Sequence, residues 1–378
     1  MKRTHVITGA TGLLGAALVL QLAAHTPADD IVCLVRPAGT DPQKRLTTAL
    51  SKATQAYRTD PLTTQRALRK ARAVAADLTL PGLGVDPIQL ASPYPTWFWH
   101  AGALIGFGQA NRRRLFATNT AGTRRVIALA TQMQAEAFHY VSTAYVAGSR
   151  TGEIPEQPIT NPVPREFYEA SKIAAERIVW NAPIPTRIYR PTAIIGHHAT
   201  YSCAGPYTGV YGLMRRVAVH HRLRHRLDSG RDPIRLVARG DLPLNLVPVD
   251  HVARELVEIA HASTPHRVFH LSNPTPPNVG NTLRAIFTQL GIAAWELVDD
   301  PALLRPADLH LAELFREFYS GYLTHEHRFR RDHTHLVLAQ PERTQFPMDD
   351  DLLNQFFAYY HRHELARRHP VPATRKPA

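Results

Sequence analysis

Thr8-Gly9-Ala10-Thr11-Gly12-Leu13-Leu14-Gly15 lies near the chain start, between the short apolar run 5–8 and the Ala/Leu-rich run 12–24. A run too short for a helix, followed by one with helical periodicity, predicts strand, turn and helix in succession. At such a turn Gly9 permits the tight reversal, Gly12 lets the backbone approach a pyrophosphate, and Gly15 lets the helix pack against the strand. The helix N-terminus then offers N–H groups and a positive dipole end to an anion. The stretch therefore predicts a dinucleotide-binding turn, with Gly9, Thr11, Gly12, Leu13, Leu14 and Gly15 against the cofactor.

Outward from this turn the pattern repeats. Short apolar runs at 31–35, 73–76, 97–100, 138–142 and 186–189 alternate with helical periodicity at 118–133 and 168–180. Strand–helix alternation implies a parallel sheet covered on both faces. The expected fold is α/β, a Rossmann-type doubly wound parallel sheet with a smaller C-terminal substrate-binding lobe. The expected division is 1–195 for the NADP-binding domain (returning around 236–272), 196–365 for the substrate lobe and 366–378 for a disordered basic tail. The insertion 41–72, punctuated by Pro42 and Pro61, reads as two helices with a basic surface. Residues 213–227 read as a basic helix carrying Arg215, Arg216, Arg222, Arg224 and Arg226, and 301–322 and 349–364 as further helices.

Composition bounds the alternatives. Hydrophobic residues make up 44% of the 378 and charged residues 20%, which excludes a disordered, collagenous or membrane-embedded chain. Lys and Arg number 44 against 31 Asp and Glu, a net +13, which points to an anionic partner. Two cysteines, Cys33 and Cys203, leave no disulfide framework or Cys-type zinc site and fit a reducing, cytoplasmic setting. Met1-Lys2-Arg3 and the apolar run to Ala24 mimic a secretory leader, but the spaced glycines and the strand that follows argue against one. No apolar run reaches the roughly 20 residues of a membrane span. His197-His198 lacks the helical His-x-x-x-His spacing and an adjacent carboxylate, so no metal is expected.

The second strand selects the nucleotide. An NAD binder carries an acidic residue at its end; here the run 31–35 ends in Arg36. A guanidinium matches a 2′-phosphate in charge and geometry, and Arg45 at the start of the next helix adds a second contact, so NADP(H) is expected. Asp77 and Leu78, ending the third strand, flank the adenine, with Asp77 equally a turn former.

Tyr168 and Lys172 stand one helical turn apart and project from one face. An ammonium so placed is expected to lower the phenol from its free value of about 10, making Tyr168 a proton donor and acceptor. The strand ending in Val141-Ser142-Thr143 supplies a hydroxyl for a reacting carbonyl, Thr143 in preference to Ser142.

Together these residues resemble the extended short-chain dehydrogenase/reductases. His100-Ala-Gly-Ala103, Asn119 with Gly122-Thr123, Arg190-Pro-Thr-Ala-Ile194 and Val247-Pro-Val-Asp250 add to the match. Cys33-Leu-Val-Arg36, the basic insertion followed by 77–84, and Ser142-Thr-Ala-Tyr-Val146 resemble thioester reductase domains and fatty acyl-CoA reductases. The resemblance spans about residues 4–290; beyond it, Phe318–Tyr322, Phe329 and 346–360 are similar to the tails of stand-alone acyl reductases. Gly102 departs from the usual Ala. The resemblance implies that Lys172 also holds the nicotinamide ribose. It implies that Ala101, Gly102 and Ala103 line the cofactor cleft, and that Pro191, Thr192 and Ile194 flank the nicotinamide. Asn119 is a helix-packing group or a proton relay. The substrate side is expected at Ala144, Tyr145, His197, Tyr207, Tyr211 and Arg215, with the 205–211 loop shaping an acyl entrance.

The expected reaction is hydride transfer from NADPH to an acyl thioester, carried on CoA or a phosphopantetheine carrier protein, giving an aldehyde or, after a second hydride, an alcohol. Two alternatives stand beside it. One is an extended short-chain dehydrogenase acting on a nucleotide sugar or hydroxysteroid-like substrate, although a sugar epimerase favours an acidic strand end over Arg36. The other is a non-catalytic NADP-sensing or nucleic-acid-associated regulator using the +13 charge and Arg112–Arg114, which has no need of Thr143, Tyr168 and Lys172. No zinc-finger or RNA-recognition signature appears, so nucleic acid is not an expected partner. The basic helix would also suit a peripheral membrane contact, though its apolar face is thin.

Overall fold

The strands of the computed structural model are, in chain order, β1 (Thr4–Thr8), β2 (Asp30–Val35), β3 (Ala71–Ala75), β4 (Thr96–His100), β5 (Ala137–Val141), β6 (Gly152–Ile154) and β7 (Thr186–Pro191). They continue with β8 (Ala193–Ile195), β9 (Ile234–Val237), β10 (Leu246–Pro248), β11 (Val268–Leu271), β12 (Trp295–Val298) and β13 (His327–Phe329). The helices are α1 (Leu13–His25), α2 (Pro42–Tyr57), α3 (Pro61–Lys70), α4 (Arg112–Leu115), α5 (Gly122–Gln132), α6 (Phe167–Trp180) and α7 (Val210–Arg226). After them come α8 (Val249–His261), α9 (Val279–Gln289), α10 (Pro306–Arg316), α11 (Ser320–Thr324), α12 (Asp332–Val337) and α13 (Asp350–Tyr360). The structure describes residues 2–106, 108–226, 232–316, 320–338, 340 and 346–366. The tail beyond Ala366 and the aromatic pair at 318–319 lie outside the described residues.

Seven strands form one sheet in the order β11-β7-β5-β4-β1-β2-β3, each adjacent pair parallel. From β1 the chain moves outward to β2 and β3, then returns to β4 on the other side of β1. That reversal makes β1 and β4 the switch point, where doubly wound sheets bind ligands at the carboxyl ends of their strands. The insertion forms two helices, as its prolines suggest: Asp41 and Asp60 cap α2 and α3 by accepting from Lys44 N at 2.7 Å and Thr63 N at 2.9 Å, with Pro at the first helical position.

Strand alternation divides the buried side chains between two faces. Val6, Phe98, Phe138, Tyr140 and Ile188 pack with Val126, Ala175 and Val179 from α5 and α6. The opposite face carries an aromatic and histidine row. His5 Nε2 lies 3.0 Å from Asp29 Oδ2, Trp99 Nε1 donates to His5 Nδ1 at 3.1 Å, and His139 stacks on Trp99 at 4.2 Å. His139 Nδ1 lies 2.9 Å from the Tyr189 hydroxyl.

Burial holds His139 well below the usual imidazole range and brings His270 down to about 3. The folded form keeps these rings neutral while the unfolded chain takes up protons below about pH 6.5, so their contribution to stability is lost as pH falls from there. Each such ring costs about 1.4 kcal/mol per pH unit within that window. Thermal unfolding from pH 7 to 4 is expected to steepen below pH 6.5, and His139→Phe, which keeps the ring stack, is expected to reduce the slope. Equal slopes would contradict the assignment.

The chain divides into two compact units, the first made of 1–206, 245–275 and 326–346, the second of 207–244, 276–325 and 347–378. The first unit thus takes 326–346 from the stretch expected as mainly lobe, besides a return at 245–275; long-range polar contacts hold 326–346 there. There β13 pairs with β6, and Arg331 Nη2 donates to Glu255 at 2.8 Å. The buried Glu156 carboxylate accepts from His270 N at 2.6 Å, Thr334 N at 3.1 Å, the Thr334 hydroxyl and His333 N. The second unit contains α7, the β9–β12 pair and helices α9, α10 and α13, with Phe287 stacked on Trp295 at 4.9 Å.

Candidate active site

The glycine turn forms as its spacing demands. Gly9 has φ of +79°, and a Cβ there would meet Gly102 N at 2.6 Å; a Cβ on Gly15 would sit 2.0 Å from Gly9 O. No side chain caps α1 after Gly12, and no acidic residue occupies its first turn. Its N-terminus therefore keeps the positive dipole end that an anion requires. Gly102 has a local reason as well: a Cβ would meet Thr8 Oγ1 at 3.0 Å and Leu78 Cδ1 at 3.3 Å.

A cavity of about 320 Å³ opens along these strand ends. It brings together Gly9, Thr11, Arg36, Arg45, Asp77, Leu78, Gly102 and Ala103 from the sequence expectation, and adds Thr8, Thr79 and Arg114. Arg45 Nη1 donates to Arg36 O, fixing the two guanidinium-bearing segments together. Asp77 serves its turn, accepting from Thr79 N at 2.8 Å and Thr79 Oγ1 at 2.7 Å. The Thr79 amide, with help from the Thr79 hydroxyl and Arg36, holds the Asp77 carboxyl below its ordinary value. Arg114 belongs to the Arg112–Arg114 triplet that in sequence spoke for the nucleic-acid-associated alternative; its place among the lining residues depends on α4 following β4. Gly12, Leu13, Leu14, Gly15, Ala101, Pro191, Thr192 and Ile194 do not line the cavity. Thr192 Oγ1 donates to Asn245 Oδ1 at 2.7 Å, so its hydroxyl serves the fold.

The segment expected as one helix from 118 begins instead with a π-helical turn at Phe116–Ala121, followed by α5. Asn119 is the reason: its side chain bonds Leu104 N at 2.7 Å, Leu104 O at 2.9 Å and Ser171 Oγ at 3.0 Å. Such bulges recur at functional sites. Gly122 lets this segment close on Leu78, whose Cβ lies 3.1 Å from where a Gly122 Cβ would be.

Helix α6 carries Tyr168 and Lys172. Lys172 is buried, and its Nζ donates to Val141 O at 2.7 Å and lies 4.4 Å above the Tyr140 ring. That bond ties α6 to the end of β5, two residues before Thr143. Thr143 is buried and its hydroxyl accepts from Tyr145 N at 3.3 Å; the buried Ser142 hydroxyl has no hydrogen-bond partner among the described residues. Burial lowers Lys172 to about 7. Tyr168 corrects the sequence expectation. Its phenol is pushed well above the usual range rather than below it, by desolvation first, then by the Glu169 carboxylate and Tyr145. The Lys172 ammonium points to a carbonyl, not to the phenol. Sequence reasoning also missed Glu169, which is fully buried and accepts from Arg165 N at 2.8 Å and Arg165 Nη2 at 2.8 Å, fixing the start of α6.

The expected substrate residues fall in both units: Ala144, Tyr145 and His197 in the first, Tyr207, Tyr211 and Arg215 in the second. Ala144 is buried, and Tyr145 meets Phe329 edge-on at 6.1 Å. His197 stacks on Tyr57 at 5.1 Å. Tyr211 is a core residue of the second unit, packed at 4.9 Å against Tyr360 and 5.0 Å from Tyr207. Arg215 is exposed on α7. The basic character of α7 is partly internal: Arg224 is buried, pairs with Asp308 at 3.5 Å and donates to Pro233 O and Asp232 O. Among the described residues no cluster of three His, Cys, Asp or Glu is arranged to hold a metal, and no helix is long and apolar enough to cross a membrane.

The cavity suits a dinucleotide: glycines stand where a Cβ would collide, Arg36, Arg45 and Arg114 are among its lining residues, and the uncapped N-terminus of α1 follows the lining residue Thr11. Residues 7–256 match the NAD-binding family described as Male sterility protein. A linear gramicidin synthase protein of Brevibacillus parabrevis is 32% identical over 295 residues, 74% of this chain and 5% of that protein. The chain thus spans a small fraction of that relative's length. The terminal R domain from the myxalamid PKS-NRPS biosynthetic pathway superposes with a TM-score of 0.73 at 23% identity, over 95% of this chain and 91% of that one. A thiolation-reductase di-domain from an archaeal non-ribosomal peptide synthetase gives 0.70 at 18%, over 96% and 91%. These structural likenesses establish the shared fold.

Proposed function

The chain belongs to the NAD-binding family described as Male sterility protein, a branch of the extended short-chain dehydrogenase/reductases, and from that premise we propose that it reduces a carrier- or CoA-bound acyl thioester with NADPH. The observation that carries this reading is the convergence at the carboxyl ends of the sheet. The glycine turn follows β1, Arg36 follows β2, Gly102 follows β4 and Thr143 follows β5, with α6 anchored there by Lys172. Similarity to a gramicidin synthase and to reductase domains, one of them joined to a thiolation domain, supports the substrate class.

The 2′-phosphate would rest on Arg36 and Arg45, the pyrophosphate on the backbone from Gly9 to Gly15, and the adenine beside Asp77 and Leu78. Ala101, Gly102 and Ala103 would line the cleft, with Pro191, Thr192 and Ile194 toward the nicotinamide. When bound, the reduced nicotinamide supplies a hydride to the thioester carbonyl carbon. Thr143 and Tyr168 donate hydrogen bonds to the oxygen as negative charge develops there. Tyr168, held protonated by its desolvated setting, passes its proton to that oxygen. The resulting hemithioacetal loses thiol as its C–S bond breaks, giving the aldehyde. Lys172 would hold the nicotinamide ribose, as the family resemblance implies, and would supply the positive charge that steadies the phenolate left on Tyr168.

The test is NADPH consumption across acyl-CoA and acyl-carrier thioesters of varied chain length, with aldehyde and alcohol products identified. Turnover of at least one thioester class, with NADPH strongly preferred over NADH, is expected. NADPH binding with no turnover on either carrier would overturn the proposal.

A further inference from the structure

His100 ends β4, is 1% exposed, and has both ring nitrogens engaged. Nδ1 lies 2.6 Å from Thr8 Oγ1 and Nε2 lies 2.9 Å from Thr123 Oγ1. Each threonine has a second partner that decides which way its proton points. Thr123 Oγ1 is 2.5 Å from Asn119 O. A carbonyl only accepts, so the Thr123 hydroxyl donates there and accepts from His100 Nε2–H. The neutral ring then has a bare Nδ1, which must accept from the Thr8 hydroxyl. Thr8 Oγ1 in turn accepts from Gly102 N at 3.1 Å.

The protons therefore run in one order: Gly102 N–H to Thr8, Thr8 to His100, His100 to Thr123, Thr123 to Asn119 O. Asn119 continues the connection through its side chain. Its Nδ2 donates to Ser171 Oγ at 3.0 Å, and that hydroxyl donates to Tyr168 O at 2.7 Å. Thr120 Oγ1 also donates to Ser171 O at 2.9 Å. One end of this chain is the glycine wall of the cofactor cavity, and the other is the backbone of the helix bearing Tyr168 and Lys172.

We infer that His100 is a positioning residue, which couples the Thr8–Gly102 wall of the cofactor cavity to the Asn119 turn and the catalytic helix through a hydrogen-bond chain of fixed direction. Burial, with the nearby Lys172 charge, lowers His100 to about 3, so the single tautomer persists at neutral pH. A second ring proton would set two donors against each other at Thr8.

The rate arm of the test rests on the proposed thioester reduction, and the binding arm does not. Thr8→Val removes only the cavity limb. It is expected to raise the NADPH Kd about tenfold, the scale of one lost hydrogen bond, a larger change than it makes in single-turnover hydride transfer at saturating NADPH. Thr123→Val removes only the helix limb and is expected to slow that step about tenfold with Kd within twofold. His100→Gln, which keeps a donor toward Thr123, is expected to recover most of the rate lost in His100→Phe.

The deciding cycle needs no thioester. In the His100→Phe background, Thr8→Val is expected to change Kd clearly less than in wild type, because only the bond from Gly102 N remains to be lost. Tenfold effects that simply add, or two threonine variants that alter the same parameter equally, would overturn the coupling. A wild-type chain that binds NADPH but reduces no thioester would sink the proposed function and leave this cycle to decide the role of His100.

Discussion

Replacing Tyr168 by Phe is expected to lower kcat for thioester reduction by about 10²–10⁴-fold, the usual range for loss of a positioned general acid. The NADPH Kd is expected to stay within about threefold. The expectation rests on where the phenol sits. It is desolvated, beside the buried Glu169 carboxylate, and held well above its free value. Such a group keeps its proton at neutral pH and releases it only to an oxygen that has become strongly basic, as a carbonyl does on accepting hydride. The phenolate that results needs a cation, and Lys172, lowered to about 7 by burial, is the group available on α6. Deprotonation of the free enzyme at Lys172 is accordingly expected to bend kcat/KM downward above about pH 7, because that profile reports the unliganded enzyme. Stopped-flow absorbance of NADPH measures both effects. A Tyr168→Phe enzyme within threefold of wild type would remove the phenol from the reaction.

The second large effect is expected in cofactor choice. Arg36 and Arg45 line the cavity, and the Arg45 guanidinium bonds the Arg36 carbonyl. A charge-assisted hydrogen bond contributes about 1.5–3 kcal/mol when sheltered. Both side chains reach solvent, so the lower end applies: about tenfold in NADPH Kd for each arginine, and about 10²-fold for the pair. Binding of NADH, which lacks the 2′-phosphate, is expected to move less than threefold. The double variant Arg36→Ala, Arg45→Ala should therefore lose nearly all NADPH preference. Isothermal titration with both cofactors decides it, and an unchanged ratio would mean that the phosphate is read elsewhere, with Arg114 the remaining arginine lining the cavity.

What could be read from the sequence was what local chemistry dictates. The glycine spacing gave the turn because Gly9 and Gly15 stand where a Cβ would strike backbone. The Pro and Asp pairs at 41–42 and 60–61 marked two helix starts because a cap and a fixed φ act within one turn. The Tyr168–Lys172 spacing placed both residues on one helix, but their electrostatics depend on burial and on Val141 O, 31 residues away. The π turn at 116–121 follows from Asn119 reaching Leu104 and Ser171, and an unbroken helical pattern gives no warning of it. The charge pattern of α7 gives no sign in sequence that Arg224 turns inward to Asp308, 84 residues on. The return of 326–346 to the first unit rests on Glu156 and Glu255, which in sequence look like ordinary surface carboxylates.

The most direct measurement of the central claim is single-turnover reduction of an acyl thioester with NADPH deuterated at the transferred position of C4. The account predicts one deuterium at the former carbonyl carbon of the released aldehyde, with label transfer reduced at least 10²-fold in Tyr168→Phe. NADPH consumed without deuterium in the aldehyde, or label transfer that survives in Tyr168→Phe, would contradict it.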